Sequence, residues 1–126
     1  MNQRNNLTNS ELVLAPDNSM YHIHLKPEMV ADNIILVGDP ARVDLVSSFF
    51  DTKKYETQNR EIHSCTGEYK GKPITAISTG MGVDNIDIVV TELDACVNID
   101  LNTREILSNK RQLNLVRLGT CGCFHK

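Results

Sequence analysis

The chain lacks several features that would assign it to a class outright. No apolar run approaches the roughly 18 residues needed to cross a bilayer. Residues Met1 to Ser10 are polar and lack the apolar stretch of a secretory signal, so the chain is expected in the cytoplasm. There is no basic excess: 13 Lys and Arg stand against 16 Asp and Glu, a net charge of −3, which argues against nucleic acid as a partner. The four cysteines, Cys65, Cys96, Cys121 and Cys123, form no C-x-x-C pair and read as reduced thiols. Cys121, Cys123 and His125 offer three donors without a zinc spacing or a fourth ligand, so no metal centre is expected there. Gly80-Met81-Gly82 does not complete a dinucleotide fingerprint, because Asn85 stands at the third glycine position. No Gly-Lys-Ser/Thr of a Walker loop and no internal repeat occurs.

What is present fits one domain with a modest core: 126 residues, 40% hydrophobic and 23% charged. Residues 1–20 are rich in Asn and Ser and read as a flexible or loosely docked arm, with the domain over 21–126. Asn33 to Val37 is a continuous apolar run, the pattern of a strand buried on both faces. Asp39 then suits an N-cap and Pro40 the first helical position, predicting a helix to about Phe50 with Val43, Val46 and Phe50 on one face. Glu61–Tyr69 and Pro73–Ser78 bracket Lys70-Gly71-Lys72 as a hairpin. Asp84 is expected to cap a helix from Asn85 to Val97, whose Ile86, Val89, Val90, Leu93 and Val97 follow helical spacing. Residues 98–112 read as a surface excursion before a last strand, Leu113–Leu118. The alternation implies an α/β fold with a mixed central sheet flanked by helices.

Three of the apolar runs end in glycine-bearing turns: Gly38-Asp39-Pro40-Ala41-Arg42, Ser78-Thr79-Gly80-Met81-Gly82 and Arg117-Leu118-Gly119-Thr120-Cys121-Gly122. Glycine lets backbone N–H groups approach an anion, and arginine offers a fixed fork of donors to phosphate oxygens. On neighbouring strands of one sheet, such turns would converge on a crevice at the strands' carboxyl ends. Arg42 falls in a first helical turn, where the macrodipole disfavours a cation by a few tenths of a kcal/mol and a bound phosphate would reverse the argument. Position alone fits a solvated arginine equally well. Arg117 interrupts an apolar strand; if buried it demands an anion, and the alternative is an outward-facing residue on an edge strand. Thr120 would add a hydroxyl and an N–H to the same ligand. His22, His24 and His63 lie outside these turns and read first as ordinary surface or satisfied core histidines.

Taken together, Tyr21-His22-Ile23-His24-Leu25, Val37 to Val43, Asn59-Arg60-Glu61-Ile62, Gly71-Lys72-Pro73-Ile74, Ser78 to Gly82 and Arg117 to Gly122 resemble the nucleoside phosphorylase family, particularly its uridine phosphorylase branch. Order and spacing agree over roughly residues 20–122. The resemblance implies phosphate-dependent cleavage of the N-glycosidic bond, giving free base and ribose 1-phosphate. It implies that Gly38, Arg42, Arg117 and Thr120 cradle phosphate, and that Arg60 and His22 reach a neighbour's phosphate and ribose in a dimer-based homo-oligomer. It further places Cys121 and Gly122 at the nucleoside. No cofactor is implied beyond phosphate as co-substrate, apart from a monovalent cation, with potassium the candidate, at Glu61, the Met81 carbonyl and Asn85.

His24 departs from the family's usual glycine, and Cys123 to Lys126 leave its pattern. About half of the family's domain, with the base-recognition residues and the catalytic residues, has no counterpart in the sequence. The expectation is thus an incomplete nucleoside phosphorylase-type domain, an N-terminal fragment inactive on its own, with the choice between pyrimidine and purine nucleosides open. Two rivals stand beside it: a non-catalytic product that keeps phosphate binding or binds full-length subunits, and an unrelated small-molecule-binding α/β module.

Overall fold

A computed structural model of the chain describes residues 6–125. Five strands and two helices follow in the order β1 (Asn33–Val37), α1 (Pro40–Ser47), β2 (Thr52–Asn59), β3 (Ile62–Tyr69), β4 (Lys72–Ser78), α2 (Val83–Asn98) and β5 (Asn114–Arg117). They build one sheet in the order β2-β3-β4-β1-β5. β1 lies parallel to both β4 and β5, whereas β2, β3 and β4 run antiparallel, so the sheet is mixed as expected.

The apolar run of β1 is explained by cover on both faces. Ile34 and Leu36 join Ile77 of β4 and Val89, Leu93, Cys96 and Val97 of α2 in the larger core. Val37 turns the other way, with Ile35 packed beside it, to meet Ala76, Cys65 and the Val43 side of α1. Alternation along the strand thus feeds two cores at once. α1 begins as anticipated: Asp39 accepts a hydrogen bond from the Ala41 N–H at 2.9 Å and Pro40 opens the helix. The hairpin between β3 and β4 turns on Lys70 (φ 49°) and Gly71 (φ 77°), a left-handed pair that fits the twist of the strands.

The structure adds to or departs from the sequence reading at four places. Of the arm expected to be flexible or loosely docked, residues 1–5 lie outside the described residues, and the remainder lies against the domain. Leu12 and Met20 are buried in the larger core, the Leu7 N–H donates to the Arg104 carbonyl at 2.9 Å, and Arg104 Nη1 donates to the Leu12 carbonyl at 2.7 Å. The Asn- and Ser-rich composition concealed a few well-spaced apolar anchors. β2 was not anticipated at all: Thr-Lys-Lys-Tyr-Glu-Thr-Gln-Asn carries no apolar face, because it is an outer strand whose side chains are mostly exposed. The excursion over 98–112 is not wholly superficial. Leu101 is buried, and Arg111 is tied to Asp32 at 2.7 Å and to the Pro27 and Val30 carbonyls. Finally, α2 is entered through Gly82 (φ 98°), which makes no side-chain cap, and Asp84 sits in the first turn instead.

His24, at the position where the resemblance called for glycine, takes a left-handed backbone with φ 52°, and its N–H donates to the Met20 carbonyl at 2.9 Å. The conformation is the glycine one even though the side chain is not.

The four thiols divide by burial. Cys65 and Cys96 are 1% and 0% exposed, whereas Cys121 and Cys123 are exposed. Desolvation pushes the Cys65 thiol up and the Cys96 thiol up to about 12. In native protein at about pH 8, iodoacetamide is therefore expected to modify Cys121 and Cys123 and to spare Cys65 and Cys96 until denaturant is added, read by mass spectrometry. Because the folded-state value of Cys96 is raised, its contribution is present below the ordinary thiol range and is lost as pH rises toward 12. Urea midpoints should fall across that alkaline window, and less so in Cys96→Ala after allowance for its lower starting stability. Leu93→Ala should lower stability by about 2–5 kcal/mol in the same assay, since it opens a cavity in the larger core.

Candidate functional site

The three glycine-bearing turns meet because the ladder continues past the strand ends. The Thr79 N–H donates to the Val37 carbonyl at 2.8 Å, the Gly80 N–H to the Gly38 carbonyl at 2.9 Å, and the Leu118 N–H to the Leu36 carbonyl at 2.9 Å. The chain therefore leaves β1, β4 and β5 at one level, and a crevice of about 790 Å³ opens there. Gly38, Arg42, Arg117 and Thr120 line it, together with Glu61, Met81 and Asn85. At Gly38 the backbone passes close to the Arg117 guanidinium, with Nη2 3.7 Å from where a Cβ would stand.

Among the glycines that line the crevice, Gly80 is the one that most requires glycine. Its φ is +72°, and a Cβ there would stand 2.5 Å from Glu61 Cγ and 2.9 Å from Asn85 Nδ2. Asn85 Nδ2 donates to Glu61 Oε1 at 2.9 Å, so the two residues named for a cation already touch across this turn. Carboxylate, amide carbonyl and backbone carbonyl are all oxygen donors, the kind a hard cation takes. Asp39, also at the crevice, has its carboxylate engaged as the cap of α1.

Arg117 is exposed on the edge strand β5, so burial does not force an anion upon it, contrary to the buried alternative. What singles it out is placement. Among the described residues neither Arg117 nor the half-buried Arg42 has an ion-pair partner, and both line the same crevice. Two unpaired guanidinium groups beside a helix N-terminus and backbone N–H groups form a setting for an oxyanion.

Other expected site residues fall elsewhere. Cys121 and Gly122 follow Thr120 but are exposed and do not line the crevice. Arg60 (φ 54°) occupies the turn between β2 and β3, and with His22 it lines a separate cleft of about 80 Å³. Glu61 and Asn85 contribute to both hollows and form their shared wall.

Sequence reasoning missed two partners of His22. Glu92 of α2, 9% exposed, accepts from the His22 N–H at 2.7 Å and approaches His22 Nδ1 at 2.8 Å, while Asn59 Nδ2 donates to the His22 carbonyl at 2.9 Å. A signal existed for the first: Glu92 interrupts the buried stripe of Val89, Leu93 and Cys96, and an acid there needs a partner. His63 is a satisfied core histidine. Its Nε2 meets Glu56 Oε1 at 2.9 Å and its Nδ1 the Pro40 carbonyl at 3.3 Å. Asp44 lies 3.9 Å from Nδ1, and one ligand atom from each of Asp44, Glu56 and His63 falls within 4.8 Å of the other two, although both carboxylates are exposed and Glu56 already pairs with the ring.

Residues 32–126 match the sequence profile of the Phosphorylase superfamily. The chain belongs to that superfamily. A nucleoside phosphorylase of Trypanosoma brucei, described as showing uridine phosphorylase activity, superposes with a TM-score of 0.78 at 39% identity, over 88% of this chain and 39% of that one. The uridine phosphorylase of Thermococcus kodakarensis is 44% identical over 75 residues, 60% of this chain and 27% of that protein. A DeoD-type purine nucleoside phosphorylase of Anoxybacillus flavithermus is 37% identical over 106 residues, 83% of this chain and 40% of that protein. Within the superfamily, the relatives of this chain are thus nucleoside phosphorylases of both uridine and purine types, and the chain spans about 40% of the length of the curated relatives it matches.

Gly80→Ala is expected to destabilise the fold by about 1–3 kcal/mol, through a left-handed backbone and the displacement of Glu61 and Asn85. Urea unfolding checks the magnitude, and an unchanged midpoint would mean that the turn relaxes freely.

Proposed function

We propose that this chain supplies the phosphate-binding part of a nucleoside phosphorylase of the uridine phosphorylase type. The observation that carries the proposal is the convergence of Arg42 and Arg117, unpaired among the described residues, with Gly38 and Thr120 on one crevice. In the reaction, a phosphate oxygen bonds to the sugar C1′ as the C1′–N bond breaks. The base leaves with the bonding pair and is released once protonated, and ribose 1-phosphate remains. Positive charge grows on the sugar next to the anion, so fixed donors that hold the phosphate favour the transition state. A potassium ion at Glu61, the Met81 carbonyl and Asn85 would add a fixed charge at the wall of the same crevice.

Uridine is favoured over purine nucleosides by the Trypanosoma brucei and Thermococcus kodakarensis relatives. His22 and Arg60 lie together outside the crevice, which favours their serving a neighbouring subunit in a dimer-based assembly. Cys121 and Gly122, expected at the nucleoside, stand outside the crevice, which favours negligible turnover by the 126-residue chain alone. A second reading, that the free chain binds phosphate or full-length subunits without catalysis, is favoured by the same geometry.

Titration calorimetry with inorganic phosphate tests the site. Arg42→Ala and Arg117→Ala should each weaken binding by about 10–100-fold, the loss of one or two charge-assisted hydrogen bonds. Unchanged affinity in both variants would overturn the phosphate assignment. In parallel, uridine plus phosphate should yield no uracil with the pure chain, and clear uracil release would overturn the incomplete-site reading.

A further inference from the structure

His22 is held by one buried side chain in a way that fixes what its ring can recognise. Glu92 lies on the core side of α2, and its two oxygens are fully employed on the segment that bears His22. Oε1 accepts from the His22 N–H at 2.7 Å and from the Ile23 N–H at 3.4 Å, and Oε2 lies 2.8 Å from His22 Nδ1. Asn59 secures the other side of the peptide by donating to the His22 carbonyl at 2.9 Å. The Tyr21 ring packs edge-on against the imidazole at 4.9 Å between centroids. The His22 side chain, 35% exposed, therefore has a defined position at the edge of the cleft with Arg60.

An ionised carboxylate can only accept hydrogen bonds, so Nδ1 must carry the proton it shares with Glu92. In a neutral imidazole that leaves Nε2 as a bare lone pair. We propose that Glu92 is the positioning residue for His22, locking it as the Nδ1–H tautomer so that Nε2 accepts a hydrogen bond from a hydroxyl donor on the ligand. The proposal deepens the nucleoside reading and rests on it for the ligand, a sugar hydroxyl. The tautomer itself depends on this chain alone. Specificity follows from polarity: a ligand that offers only an acceptor at that place meets a second acceptor.

Nitrogen-15 NMR of the uniformly labelled chain at alkaline pH, where imidazoles are neutral, reads the tautomer directly. The His22 ring is assigned by its disappearance in His22→Asn. The wild type is expected to show protonated Nδ1 and bare Nε2. In Glu92→Gln the amide carbonyl can still accept from the two backbone N–H groups while the amide N–H₂ faces Nδ1. The Nδ1–H signature should then be lost and the proton should move to Nε2. A wild-type ring with its proton on Nε2, or a folded Glu92→Gln chain with unchanged ring resonances, would overturn the proposal, and the wild-type spectrum decides it even if the variant fails to fold. The expected tautomer, found together with a phosphate affinity that Arg42→Ala and Arg117→Ala both leave unchanged, would support Glu92's role while removing the nucleoside reading.

Discussion

The site depends on β1 standing between β4 and β5 with all three strands pointing the same way. Parallel ladders keep their carboxyl ends level, and here three backbone hydrogen bonds carry the pairing one step beyond the strands into the turns. Gly38, Gly80 and Gly119 are thereby drawn to one crevice. A slip of one residue in either pairing would turn Arg117 or Gly80 away from it, because side chains alternate across a sheet. Burial on both faces opposes such a slip, since Ile34 and Leu36 would have to exchange cores with Ile35 and Val37.

Charge is organised around that geometry. Arg111 is consumed by structure, fastening the last loop to Asp32 and two carbonyls, and Arg104 fastens the N-terminal segment through the Leu12 carbonyl. Arg42 and Arg117 have no such employment among the described residues. Guanidinium groups that line one crevice repel, and their lack of a carboxylate partner among the described residues is tolerable because Arg117 is exposed and Arg42 half-buried. An oxyanion with matching acceptors is the kind of group that could displace water there.

α2 links the two hollows. Its Asn85 lines the crevice, while Glu92, further along, holds His22 in the docked N-terminal segment. The helix is fixed by Val89, Leu93, Cys96 and Val97 against the sheet. Movement of one site is therefore resisted by the same apolar contacts that hold the other.

Local pattern determined much of this protein. The two-face burial of Asn33–Val37, the cap at Asp39, the Lys70-Gly71 hairpin and the apolar stripe of α2 follow from residue spacing within single elements. So does the placing of glycine and arginine at the ends of three apolar runs, the residues that line the crevice. Other features were decided only by contacts between distant segments. The polar strand β2 has no apolar period because it lies at the sheet edge, and the N-terminal segment is held by partners more than eighty residues away, such as Arg104. Glu92 and His22, seventy residues apart, become one unit only when α2 packs beneath the segment, and Arg117 is placed by the edge position of β5 rather than by burial. Periodicity reports which face of an element is buried. It carries no information about which other element will cover that face, and the site was assembled at that second step.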